Sequence, residues 1–329
     1  MQCRRRWSAI AVVMFIGAGT SLVQARDPVA DAKAMDTAKG SDAVSLRAAI
    51  LDDISKMDVT KRDTYVGKQM LGNDRTPGPF IALLSSSNPD AQLNAAITIA
   101  QTRTLAADAT LESMLKHANP AIRYWGAKGL TEIMPDLIKI PAAKTRAITA
   151  LTTALVPETS GVVKQQIIRA LGAADDVGAV SIAADSLAAQ MQSGNSDHET
   201  IDAAATALNL LDAVIKKGAT IDKSKVAKSA AWIASFSAQQ IVALKARLQE
   251  GGGTGDVPEA YQMSVVGAIT SSITVLNDLV GKNTFPAVSR TASPEEIQFA
   301  VDGIAGSTSS PGSLQTALPD VKSPPAIKK

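Results

Sequence analysis

Asp197, His198 and Glu199 stand side by side in a 329-residue chain that has two histidines and one cysteine. An imidazole between two carboxylates could bind a metal ion or move a proton. On a helix, however, adjacent side chains point in different directions, and no second cluster stands at ligand spacing. The same three residues also read as a helix start, with Asp197 as cap and Glu199 favourably placed in the first turn. The other histidine, His117, falls in a turn. GGGTGD, residues 251–256, has the glycines of a phosphate-cradling loop. Such a loop needs Lys and then Ser or Thr after its last glycine, and a strand before it. Here a helical pattern precedes and Asp256-Val257-Pro258 follows, so the stretch reads as a linker. No G-x-S-x-G nucleophile elbow occurs among the serines. Nothing in the sequence calls for a cofactor or a metal.

Aromatic and cationic residues offer a different chemistry, that of binding. Only 3% of the residues are aromatic, yet Tyr124 and Trp125 are adjacent in NPAIRYWGAKGL, residues 119–130. On a helical wheel, Ile122, Gly126, Leu130, Ile133 and Met134 share one apolar face, with Ala127 at its edge. Tyr124 and Trp125 fall well away from that face, on the side of Lys128. Aromatics and arginine are the types that most often anchor protein interfaces. Arg123, Tyr124, Trp125 and Lys128, with Gln166 and Arg169 at matching places further on, are therefore the candidate partner-binding residues. The alternative for the aromatic pair is packing against a neighbouring helix, and for Arg123 a bridge to the next repeat.

The elements that must carry these residues are helices. Apolar residues recur every three or four positions, no hairpin dipeptide lies between alternating runs, and strand signals are poor. Asn88-Pro89 recurs as Asn119-Pro120, each with proline where a helix has no use for its N–H. Related stretches follow as SGVVKQQIIRALG and HETIDAAATALNLL. The aligned positions Ile99, Leu130, Leu171 and Leu208 are 31, 41 and 37 residues apart, the length of one antiparallel helix pair. Partner helices are expected in PFIALLSS, LAADATLESMLKHA, AAKTRAITALTTAL and VGAVSIAADSLAAQMQ. Each pair has one apolar face too many to be stable alone, so the pairs must stack.

Residues 1–25 have the layout of a cleavable signal peptide. Arg4, Arg5 and Arg6 precede a short apolar run, and Val23-Gln24-Ala25 supplies small residues before Arg26. Taking those three arginines from 33 basic residues leaves 30 against 31 acidic ones. There is then no electrostatic case for nucleic acid, and no membrane span is expected after cleavage. The one cysteine, Cys3, leaves with the signal, so no disulfide follows. Residues 26–41 read as a flexible leader, 42–250 as the helical repeat region (clearest over 77–216), 251–257 as a Gly-rich linker and 258–305 as additional C-terminal helices. Ser235 to Ser237 are expected to interrupt one helix, and the Pro- and Ser-rich stretch 306–329 to be disordered.

Ile122-Arg123, Ala127 and Leu130, after an Asn-Pro turn, resemble the second helix of HEAT and HEAT-like repeats of the armadillo superfamily. Val163-Lys164 and Leu171 match this pattern less closely. The resemblance implies an all-α solenoid of stacked antiparallel helix pairs whose second helices line a concave docking surface. With the signal, it implies an exported, non-enzymatic scaffold or adaptor that binds protein in the periplasm or outside the cell. The alternative is an envelope enzyme or enzyme subunit near His198 or GGGTGD, since HEAT-like repeats also occur in the phycobilin lyases.

Overall fold

The computed structural model describes residues 27–73, 76–194, 196–281, 283–307 and 309–327; the expected signal peptide, 1–25, lies outside them. Fifteen α-helices occur among the described residues, and the strands are two two-residue segments. The protein is an all-α solenoid, as the spacing predicts.

Four helix pairs stand where the repeats are expected. They are α4 (Pro79–Leu83) with α5 (Pro89–Gln101), α6 (Asp108–Met114) with α7 (Pro120–Leu137), α8 (Pro141–Leu155) with α9 (Gly161–Ala173), and α10 (Val177–Met191) with α11 (His198–Lys216). The second helices α5, α7, α9 and α11 pack on one another in succession. Ile99, Leu130, Leu171 and Leu208, the aligned positions, are all fully buried. Asn88 and Asn119 cap α5 and α7 through hydrogen bonds to the N–H groups of Asp90 and Ala121, and the following prolines begin each helix.

The stack extends in both directions. α12 (Lys223–Glu250) and α13 (Glu259–Val280) form a fifth pair; α12 packs on α10 and α13 on α11. α14 (Pro294–Ala305), opened by a Ser293–Glu296 capping box, then packs on α12. The C-terminal helices therefore continue the solenoid, and GGGTGD is the turn within a helix pair rather than a link between separate bodies. α13 is long and apolar enough to cross a membrane, and 61% of that apolar stretch is buried here, where it packs against α11 and α12. At the other end, α1 (Pro28–Thr37) packs on α4 and α5, and α2 (Gly40–Ser55) packs on α5. A short helix, α3 (Val59–Thr64), leads into a π-helical turn, Tyr65–Leu71. An antiparallel pairing of Gly72–Asn73 with Thr76–Pro77 follows.

Three expectations are corrected. The stretch 26–41 is not a flexible leader over its described part. Asp27 caps α1, Pro28 starts it, and Ala32 and Met35 are buried against the first repeat. Ser235 and Ser237 do not break α12, and both are buried within it. The described residues of 306–327 are packed on the stack rather than disordered. Leu314, in α15 (Ser313–Ala317), and Val321 are buried, and the Ile327 N–H donates to Gln239 Oε1 of α12 at 2.9 Å.

Candidate partner-binding face

The buried side of α7 is Ile122, Gly126, Ala127, Gly129, Leu130, Ile133, Met134 and Leu137. Its two glycines let α6 approach closely. A Cβ at Gly126 would lie 2.9 Å from the Leu111 carbonyl oxygen, and one at Gly129 would lie 2.4 Å from a Leu111 methyl. That approach fixes how α7 is rotated, and so where its remaining residues face.

Tyr124 and Trp125 are half-buried, packed on the core along one side and accessible along the other. Their rings meet edge to face with centroids 5.6 Å apart. The Lys128 ammonium lies 4.6 Å from the Trp125 ring centroid, within cation–π range. The rings are held by core packing and remain partly exposed. Arg169 of α9, at the place of Lys128 in the next repeat, is exposed and makes no ion pair with any described residue.

The other two candidates are not free to bind. Arg123 Nε and Nη2 donate to the Glu158 carboxylate at 2.7 and 2.8 Å, and Nη1 donates to the His117 and Ala118 carbonyls, both at 2.8 Å. Glu158 also accepts the N–H groups of Thr159 and Ser160, and its side chain is 1% exposed. Burial pushes the Glu158 carboxyl up, but Arg123 and these N–H groups outweigh it and hold it below the usual glutamate value. Arg123 therefore joins one repeat to the turn of the next. Gln166, expected on a solvated face, is buried and donates to Thr131 Oγ1 of α7 at 3.0 Å. The adjacent stacked helix covers that side, which a single-helix wheel does not include.

Of the residues weighed for catalysis, Asp197 and His117 have structural partners. Asp197 caps α11 by accepting the Thr200 N–H at 2.7 Å, with His198 exposed at the helix start. His117 Nδ1 accepts the Asn119 N–H at 3.0 Å, which leaves Nε2 to donate to the Leu84 carbonyl at 3.1 Å. Among the described residues, no three His, Cys, Asp or Glu side chains gather where they could hold a metal ion.

Two charged groups have partners on other helices that the sequence reading did not supply. Lys164 is buried in α9 and donates to Thr200 Oγ1 of α11 at 2.8 Å. Lys216 of α11 lies 2.7 Å from Asp212 and 3.4 Å from Asp278 of α13. Burial raises the Asp212 carboxyl, whereas its hydrogen bond with Asp212 lowers that of Asp278.

Residues 77–172 match the family model of the HEAT repeats. That span runs from the start of α4 to the end of α9, the part in which the Asn-Pro starts and the Arg123–Glu158 bridge occur. No curated protein matches the chain. Residues 77–172 are thus similar to HEAT repeats, and the stacked helix pairs continue on both sides of them.

Proposed function

We propose that the chain is an exported, non-enzymatic scaffold that binds a protein partner in the cell envelope through the second-helix face of α7 and α9. The observation that carries this reading is the Tyr124–Trp125 pair. Two aromatic rings are pre-oriented by core contacts and by Lys128 and remain half accessible, and the adjacent helix α9 carries the exposed Arg169 at the place equivalent to Lys128. Rigid aromatics with a nearby cation are typical interface anchors, because little side-chain entropy is lost when they dock. Export rests on the arrangement of residues 1–25.

Affinity capture from envelope extracts, comparing wild type with a Tyr124→Ala plus Trp125→Ala variant, tests the binding face. Loss of one specific partner with unchanged helicity supports it, and undiminished capture by the variant refutes it. On the identified partner, removal of both rings is expected to weaken binding about thirtyfold or more. Fractionation with mass determination of the mature N-terminus tests export. A chain beginning at Arg26 in the envelope fraction is the expected result, and an intact Met1 in the cytoplasm contradicts it.

A further inference from the structure

Arg123 and Lys164 occupy the same position in successive repeats, but only one of them has its anion. Arg123 meets the Glu158 carboxylate through two of its nitrogens and two turn carbonyls through a third. Lys164 is 5% exposed, and among the described residues its ammonium makes one hydrogen bond, to Thr200 Oγ1 at 2.8 Å, and no ion pair. An ammonium has three N–H donors, so two remain without an acceptor among the described residues. A buried charge is ordinarily paired, because leaving it unpaired is costly.

The nearby carboxylates are already engaged. Glu158 accepts from Arg123, Thr159 and Ser160. Asp197 caps α11 through one oxygen, which accepts the Thr200 N–H, and makes no ion pair with Lys164. Burial pushes the Lys164 ammonium below the usual lysine value, with Asp197 and Glu158 opposing from a distance. Beside Lys164 lies a cavity of about 410 Å³, whose walls include Glu158 and Asp197 as well as Thr159, Gln190, Ser193 and Thr200. The Gln190 amide N–H₂ is engaged by the Leu155 and Val156 carbonyls, at 3.1 and 3.3 Å. The donors left to face the cavity are thus the ammonium and the serine and threonine hydroxyls. Its size is that of a small-ligand site.

We propose that this cavity is a carboxylate-binding site, in which Lys164 holds the acid group of a ligand as Arg123 holds Glu158 one repeat earlier. The ligand is a carboxylate, whether a small free acid or a Glu or Asp side chain of a polypeptide. None of the lining residues lies on α7, so the site does not depend on the Tyr124–Trp125 face.

Isothermal titration of the full chain near pH 7 tests this with three probes: acetate, N-acetyl-Ala-Glu-Ala-amide, and the same peptide with Gln for Glu. Saturable binding of acetate or of the Glu peptide is expected, with the Gln peptide about tenfold or more weaker, the usual loss when a charge-assisted hydrogen bond is removed. Acetate binding as tightly as the Glu peptide identifies a small acid as the ligand, and tighter peptide binding identifies a polypeptide side chain. Lys164→Met should abolish binding without lowering the melting temperature, since it removes a charge that burial penalises. No saturable binding of acetate or the Glu peptide to wild type overturns the proposal, as does equal binding of the Glu and Gln peptides. The peptide comparison needs only the wild-type protein, so it decides even if the variant fails to fold.

Discussion

Arg123 shows how much one side chain can bind together. Its guanidinium ties the turn before α7 to the turn before α9, and Glu158 is so well covered that losing its partner leaves a buried carboxylate uncompensated. Arg123→Ala should cost about 3 kcal/mol of stability in urea unfolding at neutral pH. Because the folded-state pKa of Glu158 is lowered, the stability it provides is full above the ordinary glutamate value and is lost as pH falls through the folded value. The gap between wild type and Arg123→Ala should accordingly be widest near pH 7 and shrink in acid. At this scale the sequence was only partly legible. It marked Arg123 as a bridge or a binder, but Glu158 is 35 residues away and carries no local signal. Lys164 was visible only as a weaker copy of Arg123. That it lacks a carboxylate partner depends on where α11 sits, which no helical wheel contains.

At the scale of elements, caps and prolines were the readable signals and small residues the misleading ones. Asn88-Pro89, Asn119-Pro120 and Ser293-Pro294 open α5, α7 and α14, and Asp27-Pro28 opens α1 in the same way. Attention to that shared start would have found α1, whose buried residues beyond its first turn are only Ala32 and Met35. The Pro- and Ser-rich tail hid its order similarly, because Leu314, Val321 and Ile327 are isolated apolar anchors rather than a periodic face. Deleting residues 306–329 should therefore lower stability by about 3 kcal/mol or more, the transfer energy of two buried aliphatic side chains, measured as a fall in melting temperature. Gly126 sets the distance between α6 and α7. For Gly126→Ala, overpacking against the Leu111 carbonyl costs about 1–3 kcal/mol and exceeds a helix-propensity gain of about 1 kcal/mol. A net destabilisation in urea unfolding is expected, although alanine is the better helix former.

Over the whole molecule, each helix pair touches mainly its neighbours, so stability is distributed along the stack rather than pooled in one core. Native-state hydrogen exchange should be slowest in α7, α9 and α11, which are covered on both sides. Arg123→Ala should accelerate exchange in α7 and α9 before it does so in α12 and α13. The repeat period gave this architecture well, since Ile99, Leu130, Leu171 and Leu208 are equivalent in space as in sequence. It did not reveal that α12 and α13 extend the stack, because those helices are 28 and 22 residues long and do not follow the shorter repeats. The hydrogen bond from the tail residue Ile327 to Gln239 of α12 spans 88 residues. During synthesis, which runs from the N-terminus, the earlier pairs can close as soon as they emerge. Gln239 must wait for those 88 residues before its own covering segment exists. The order in which the chain is made thus leaves the C-terminal end of the stack as the last part to be sealed.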